Sequence, residues 1–131
     1  MTHHFKKANK IKDNAYCPYS KFHVGVVLEM KDGNIVKGVN VENTAYGSTI
    51  CAERNALLHS ITKGYNKGDV KSITITSDSD EHTYPCGDCR QVMLELCYPD
   101  TEVHMFDKTG EKHVIMTVNE LIPLKPIKSL K

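Results

Sequence analysis

The 131-residue chain contains no tryptophan, and no apolar run approaches the roughly 20 residues that a membrane-spanning helix requires. Neither sign of charge prevails, because 17 Lys and Arg face 16 Asp and Glu, giving a formal net charge of +1. A nucleic-acid partner is disfavoured, since neutralising phosphates requires a concentrated basic surface. Residues 1–10 are polar and lack the apolar core of a secretion signal. These absences predict a cytoplasmic protein that binds neither membrane nor nucleic acid.

The chain is too short for two domains of ordinary size. With 40% hydrophobic and 25% charged residues, its composition is that of one compact domain. Internal repeats and low-complexity segments are also missing. We therefore predict a single domain over residues 1–131, in which the lysine-rich residues 125–131 form a solvated tail.

Cysteine is present five times, an odd number that argues against a framework of disulfides. Thiols also stay reduced in the compartment that the missing export signal predicts. The cysteines are therefore core residues, nucleophiles or metal ligands, and their spacing must decide among these roles.

Hydrophobic periodicity predicts alternating helices and strands. The predicted helices lie at residues 2–15, 49–63 and 86–96, with a last short helix opened by the capping box of Thr117 and Glu120. Strands are predicted at residues 22–30, 35–41, 71–76, 102–106 and 111–116. This order indicates an α/β fold whose mixed five-stranded sheet begins with an antiparallel hairpin, pairs in parallel in the middle and carries helices on both faces.

Two predicted helix starts carry thiols, at Cys51 and in the Cys86-Gly87-Asp88-Cys89 segment after Pro85. The positive end of a helix dipole favours the thiolate, which is the form that binds metal. Cys86 and Cys89 can point at one ion, and Cys51 can supply a third ligand if the two helices lie side by side. Three protein ligands leave Zn²⁺ one open position, as in catalytic sites, so we predict one Zn²⁺ per chain. A redox pair or buried thiols are the alternatives.

Glu53 lies two residues after Cys51, where its carboxylate can reach a water on the metal without binding the metal itself. An acid at this offset, followed by P-C-x-x-C, is the signature of zinc deaminases, with cysteine here replacing the usual histidine. We therefore predict that Glu53 is the catalytic acid and base. Its alternative role is that of a first-turn carboxylate that complements the helix dipole.

The chain has two arginines, and each follows a residue of the predicted site. Three thiolates give a Zn²⁺ site a net charge of about −1, which makes its water less acidic. Hydrogen bonds from Arg54 and Arg90 to sulfur would withdraw some of that charge. The alternative is a pair of exposed helical arginines.

These motifs resemble those of the short, single-domain cytidine deaminases. The resemblance covers nearly the whole chain and is carried by residues 19–22, 24–25, 38–43, 46–47, 51–54 and 85–91. It implies zinc-dependent hydrolysis of cytidine and deoxycytidine to uridine and deoxyuridine with release of ammonia, a pyrimidine-salvage reaction. It also implies a three-layer α/β/α fold and a homotetramer with a small nucleoside as substrate.

By the same resemblance, Asn40 and Glu42 hold the ribose 3′-hydroxyl. Residues two apart at a strand end point to the same side of the chain, so both side chains can converge on one group. Loop capping is their alternative role.

The resemblance further implies that Phe22 packs on the pyrimidine and that the backbone around Ala52 and Pro85 reads the edge of the base. Phe22 is equally compatible with the core of a strand. Tyr46 is implied to line the pocket of a neighbouring subunit.

Two other functions stay open on the sequence. A blasticidin S deaminase is the nearer one, favoured by the His23-Val24-Gly25 segment and by residues 121–125. The second is a structural zinc domain without activity, in which Cys17, Cys97 or His82 supplies a fourth ligand and closes the site.

Overall fold

The computed structural model describes residues 2–124, with side chains from residue 3 onward, so the predicted tail at 125–131 lies outside the described residues. Its α-helices are α1 (Thr2–Ile11), α2 (Ala52–Thr62), α3 (Gly87–Leu96) and α4 (Val118–Leu121). Its strands are β1 (Val24–Met30), β2 (Ile35–Val39), β3 (Val70–Ser77), β4 (Glu102–Phe106) and β5 (His113–Thr117). Short 3₁₀ turns occupy Lys12–Asn14 and Tyr46–Ser48.

The five strands form one mixed sheet in the order β2-β1-β3-β4-β5. The first hairpin is antiparallel, and β3 and β4 pair in parallel because α3 lies between them along the chain. β4 and β5 are antiparallel. The prediction of a mixed sheet with a parallel centre is therefore confirmed.

Helices cover both faces of the sheet. Gly25 lies under α1, where a Cβ would meet the Ala8 carbonyl and the Lys12 side chain. The next residue, Val26, pairs with Gly38, which lies under α2. Because neighbouring strand residues point to opposite faces, α1 and α2 lie on opposite sides of the sheet, as the three-layer prediction requires.

The main hydrophobic core lies between the sheet and helices α2 and α3. Its strand residues share one face of the sheet and are fully buried: Val26, Leu28, Ile73, Ile75, Val103 and Met105. This packing holds α2 and α3 against the same layer and fixes where their first residues lie.

Several predicted boundaries were wrong because residues beside the regular elements take other hydrogen-bond partners. The first helix ends at Ile11, a 3₁₀ turn follows, and Tyr16 then pairs with Val41. The first strand begins at Val24 because the Phe22 amide donates to the Ser20 hydroxyl and the His23 amide donates to Asp78.

The helix predicted from residue 49 begins only at Ala52, because an antiparallel bridge to Val41 keeps Ile50 extended. The last strand begins at His113, since Asp107 accepts the amides of Gly110 and Lys112 and lengthens the turn. The Thr117–Glu120 capping box is present as predicted.

Gly38 is the point of closest approach between the sheet and α2. A Cβ there would lie 2.6 Å from the Ala52 carbonyl oxygen and 2.8 Å from the Ala56 Cβ. We expect Gly38→Ala to lower the free energy of unfolding by about 1–3 kcal/mol, because the added methyl overpacks a rigid contact. Chemical denaturation measures this. Gly47→Ala is the control, since a Cβ at Gly47 meets nothing within 4 Å; equal losses in both variants would contradict the packing argument.

Candidate metal and catalytic site

Helices α2 and α3 contact each other and bring their N-termini together. The residue that precedes the first helical turn is Cys51 in α2 and Cys86 in α3. Neither thiol caps its own helix, so both sulfur atoms are free to bind a ligand. Cys89 lies within the first turn of α3 and is fully buried.

The three sulfur atoms form a cluster of the size that Zn²⁺ needs. The Sγ atoms of Cys51 and Cys86 are 3.7 Å apart, and those of Cys86 and Cys89 are 3.3 Å apart. All three lie within 4.8 Å of one another. Tetrahedral coordination with Zn–S bonds of about 2.3 Å places sulfur atoms about 3.8 Å apart, so the donor set fits zinc.

The sulfur cluster offers three ligands and has no fourth one among the described residues. Among residues 3–124, no further His, Cys, Asp or Glu joins the three cysteines. Cys97 follows the last residue of α3, at the opposite end of the helix from Cys86, and is a free thiol like Cys17. This geometry disfavours the closed structural site that the sequence left open.

Arg54 lies against the cluster. Its Nη2 donates to the Cys51 sulfur at 3.5 Å and to the Thr49 carbonyl at 3.4 Å. Hydrogen bonds from Cys89 and from Arg54 lower the pKa of Cys51 against the opposing effect of burial. The hydrogen bond to Cys51, together with burial, raises the pKa of Cys89. A cation held by the three sulfurs offsets the charge that full deprotonation would concentrate there.

Arg90 makes different contacts from those that the sequence predicted. Its Nε donates to the Pro85 carbonyl at 2.9 Å and its Nη1 donates to the Leu121 carbonyl at 3.1 Å. Its hydrogen bonds within the described part of the chain thus go to backbone oxygens and not to sulfur. Arg90 joins the loop before Cys86 to the end of α4.

Glu53 is buried beside the sulfur cluster, with only 5% of its surface exposed. Burial raises the pKa of Glu53 to about 7. A carboxyl group with a pKa near the operating pH can both accept and return a proton. The side chain lines the same cavity as Cys51 and Cys86.

That cavity has a volume of about 300 Å³ and holds most of the predicted substrate residues: Phe22, Asn40, Glu42 and Ala52 line it. Pro85 is buried and does not line the cavity. A larger cleft of about 1020 Å³ shares Glu42, Cys51 and Cys86 with the cavity. Tyr46 lines this cleft and is 94% exposed.

Asn40 and Glu42 both line the cavity, and both also hold the backbone. The Asn40 amide donates to the Phe22 carbonyl at 2.8 Å, and its oxygen accepts from the Val24 amide at 2.9 Å. Glu42 accepts from the amides of Tyr19 and Ser20, both at 3.1 Å. These bonds leave Phe22 partly exposed at the cavity wall.

Sequence reasoning missed a charged group that includes His23, the residue next to Phe22. Asp78 lies 2.7 Å from Nδ1 of His23 and 3.3 Å from Nζ of Lys12. Burial acts to raise the pKa of Asp78, but hydrogen bonds from His23 and Lys12 outweigh it and hold that pKa below its ordinary value. No local motif links residues 12, 23 and 78, so only their meeting in space identifies the group.

Sequence reasoning also missed Thr83 and Tyr84, which precede Pro85 in the chain and line the cavity. Thr83 donates to the Phe106 carbonyl at 2.9 Å, so this loop is tied to the end of β4. Their position directly before the P-C-x-x-C segment was the one available signal.

The family model of the cytidine and deoxycytidylate deaminase zinc-binding region matches residues 1–105. A cytidine deaminase of Halalkalibacterium halodurans is 46% identical over 118 residues, covering 90% of this chain and 87% of the relative. A cytidine deaminase of Sporosarcina psychrophila is 38% identical and covers 89% and 84% of the two chains.

A solved structure extends this likeness to three dimensions. The crystal structure of cytidine deaminase from Burkholderia pseudomallei has a TM-score of 0.90 and 36% identity, covering 94% of this chain and 96% of that one. The helices formed by residues 2–124 include none that could span a bilayer. The fold, the sulfur cluster and the match over most of its length together show that the chain belongs to the zinc-binding cytidine and deoxycytidylate deaminase family.

Proposed function

We propose that this chain catalyses the hydrolytic deamination of cytidine and deoxycytidine to uridine and deoxyuridine, releasing ammonia in pyrimidine salvage. The observation that carries the proposal is the open three-sulfur cluster beside a buried carboxyl group on one cavity. The cytidine deaminases similar to this chain support the choice of substrate.

Cys51, Cys86 and Cys89 hold the Zn²⁺. When bound, the ion supplies a Lewis acid that makes water nucleophilic near neutral pH. Glu53 accepts a proton from the attacking water and delivers it to ring N3 while the water oxygen adds to C4. Glu53 then passes the second proton of the water to the departing amine, so cytidine and water yield uridine and ammonia.

The two arginines have separate tasks in this proposal. Arg54 draws charge from Cys51 through the hydrogen bond to its sulfur, which preserves the acidity of the site. Arg90 holds the Pro85 carbonyl in place through its Nε. The loop that presents Cys86 is thereby anchored to α4.

The substrate residues divide between the two parts of a nucleoside. Phe22 packs on the pyrimidine, and the backbone around Ala52 and Pro85 reads the edge of the base; Pro85 itself lies outside the cavity, but its neighbours Tyr84 and Cys86 line it. Asn40 and Glu42 hold the ribose 3′-hydroxyl. The cavity that Phe22, Asn40 and Glu42 share with Glu53 supports this division.

The active form is proposed to be a cytoplasmic homotetramer. Tyr46 projects from the rim of the larger cleft with almost its whole side chain exposed, which supports its placement in the pocket of a neighbouring subunit. Burying such a ring against a partner is favourable.

Purified protein tests the proposal directly. We expect about one Zn²⁺ per chain by metal analysis and ammonia release from cytidine, with much slower release from blasticidin S. A preference for blasticidin S would assign the chain to that second activity. One bound zinc with no ammonia from either compound would identify a structural metal site and overturn the proposal.

A further inference from the structure

The Ser20 hydroxyl lies between two proposed substrate residues, Glu42 and Phe22. Its oxygen accepts the Phe22 amide at 3.0 Å and is 2.5 Å from Oε2 of Glu42. The amide can only donate and an ionised carboxylate can only accept, so the hydroxyl proton must point to Glu42. Ser20 therefore connects the residue proposed for the sugar to the residue proposed for the base.

The hydrogen bonds of Glu42 leave little of its carboxylate free. Oε1 accepts the amides of Tyr19 and Ser20, and Oε2 accepts the Ser20 hydroxyl. An ionised carboxylate offers about four acceptor positions. The three bonds in the structure leave one position, on Oε2, in a side chain that lines the cavity.

The same hydrogen bonds also set the charge of the Glu42 carboxylate. Hydrogen bonds from the Ser20 side chain and backbone lower the pKa of Glu42, so the carboxylate stays ionised. The remaining acceptor position therefore suits a single hydroxyl donor from a ligand. A charged phosphate is repelled by the same group.

The backbone at Lys21 makes this arrangement possible. Lys21 has φ of +60°, the one positive φ of a residue other than glycine among residues 2–124. A lysine in the left-handed region costs free energy, and such strain persists where surrounding bonds determine it. Here the Lys21 amide donates to the Cys17 carbonyl at 2.9 Å, and the turn brings the Ser20 hydroxyl back to the Phe22 amide.

We propose that Ser20 is a positioning residue that sets the single free acceptor of Glu42 and thereby determines recognition of the sugar hydroxyl. The proposal rests on the function proposed above. Ser20 acts through Glu42 and through the Phe22 backbone, and it takes no proton from the reacting atoms.

The test compares cytidine with 2′,3′-dideoxycytidine, which lacks the 3′-hydroxyl that Glu42 would bind. Ser20→Ala removes the hydrogen bond that holds the Glu42 carboxylate. We expect the KM of this variant for cytidine to rise about 10-fold or more, the usual loss for a hydrogen bond to a charged group. We expect kcat to stay within about threefold, because Glu53 is untouched. The preference for cytidine over the dideoxy compound, as the ratio of kcat/KM values, should fall by the same factor as KM rises.

Two further variants separate positioning from folding. Ser20→Thr keeps the hydroxyl and should restore most of the preference. The double variant Ser20→Ala with Glu42→Gln should be no more impaired than Glu42→Gln alone, because both changes act on one interaction. If Ser20→Ala is unstable, adding Lys21→Gly relieves the left-handed backbone without restoring the hydroxyl.

The outcomes distinguish this inference from the proposed function. A wild-type protein without activity on cytidine contradicts both. An active wild type whose preference is unchanged in Ser20→Ala, or a Ser20→Ala variant impaired equally on both compounds, overturns the positioning role alone. Additive losses in the double variant overturn it as well.

Discussion

Replacing Glu53 with glutamine should leave about one Zn²⁺ bound per chain and lower kcat by at least about 1000-fold, in the upper range for general acid–base catalysis. Glutamine has nearly the shape of glutamic acid and can still donate a hydrogen bond, but it cannot transfer a proton. Because burial already disfavours the charged carboxylate, a neutral side chain at this position should not unfold the protein. Metal analysis and the steady-state release of ammonia measure the two effects separately.

The competing explanation for Glu53 is a helix-dipole role, and Glu120 provides the control. Glu120 also lies in the first turn of a helix, where it completes the α4 capping box with Thr117. We expect Glu120→Gln to change thermal stability with little effect on kcat. Near-wild-type turnover in Glu53→Gln, combined with a loss of stability, would assign Glu53 to the helix dipole and refute its catalytic role.

Replacing Cys89 with alanine should abolish stoichiometric zinc binding and reduce activity to background. Cys89 is the buried member of the cluster, and two remaining thiols provide neither the charge nor the geometry of a three-ligand site. Zinc binds the folded chain, so its loss should also lower the melting temperature measured in the presence of zinc.

Cys97 gives a matched comparison on the same helix. It is also buried, but it follows the last residue of α3 and lies outside the sulfur cluster. Cys97→Ala should cost stability by leaving a small cavity while keeping one zinc per chain. Full zinc occupancy in Cys89→Ala, or loss of zinc in Cys97→Ala, would show that the cluster is not the metal site.

Local patterns in the chain were sufficient for the elements that carry the cluster. The helices after Cys51 and Cys86 follow from apolar spacing, a helix stop at Gly64 and a proline before the second start. The first of these helices was predicted to start too early, at residue 49, because a bridge from Val41 to Ile50 keeps that segment extended. The bridge pairs backbone groups outside the helix, so the apolar spacing of the helix carries no sign of it.

The predicted hydrogen bond from Arg90 to a cysteine sulfur was wrong, because tertiary packing supplies other acceptors. Proximity to Cys89 along the chain suggested a hydrogen bond to sulfur, as it did for Arg54. In the folded chain Arg90 instead meets the Leu121 carbonyl, 31 residues away. A long flexible side chain takes whichever acceptor the packing of neighbouring elements supplies.

The sequence by itself determined the class of fold, the three thiols and the acid beside them, because helix starts, strand alternation and motif spacing are encoded in neighbouring residues. Tertiary structure alone decided that the sulfurs lie within 4.8 Å of one another, that Glu53 is buried and that Ser20 holds Glu42. Those facts depend on how α2, α3 and the segment before β1 pack against one sheet. Distance and burial are properties of that packing, and they arise only when segments far apart along the chain meet.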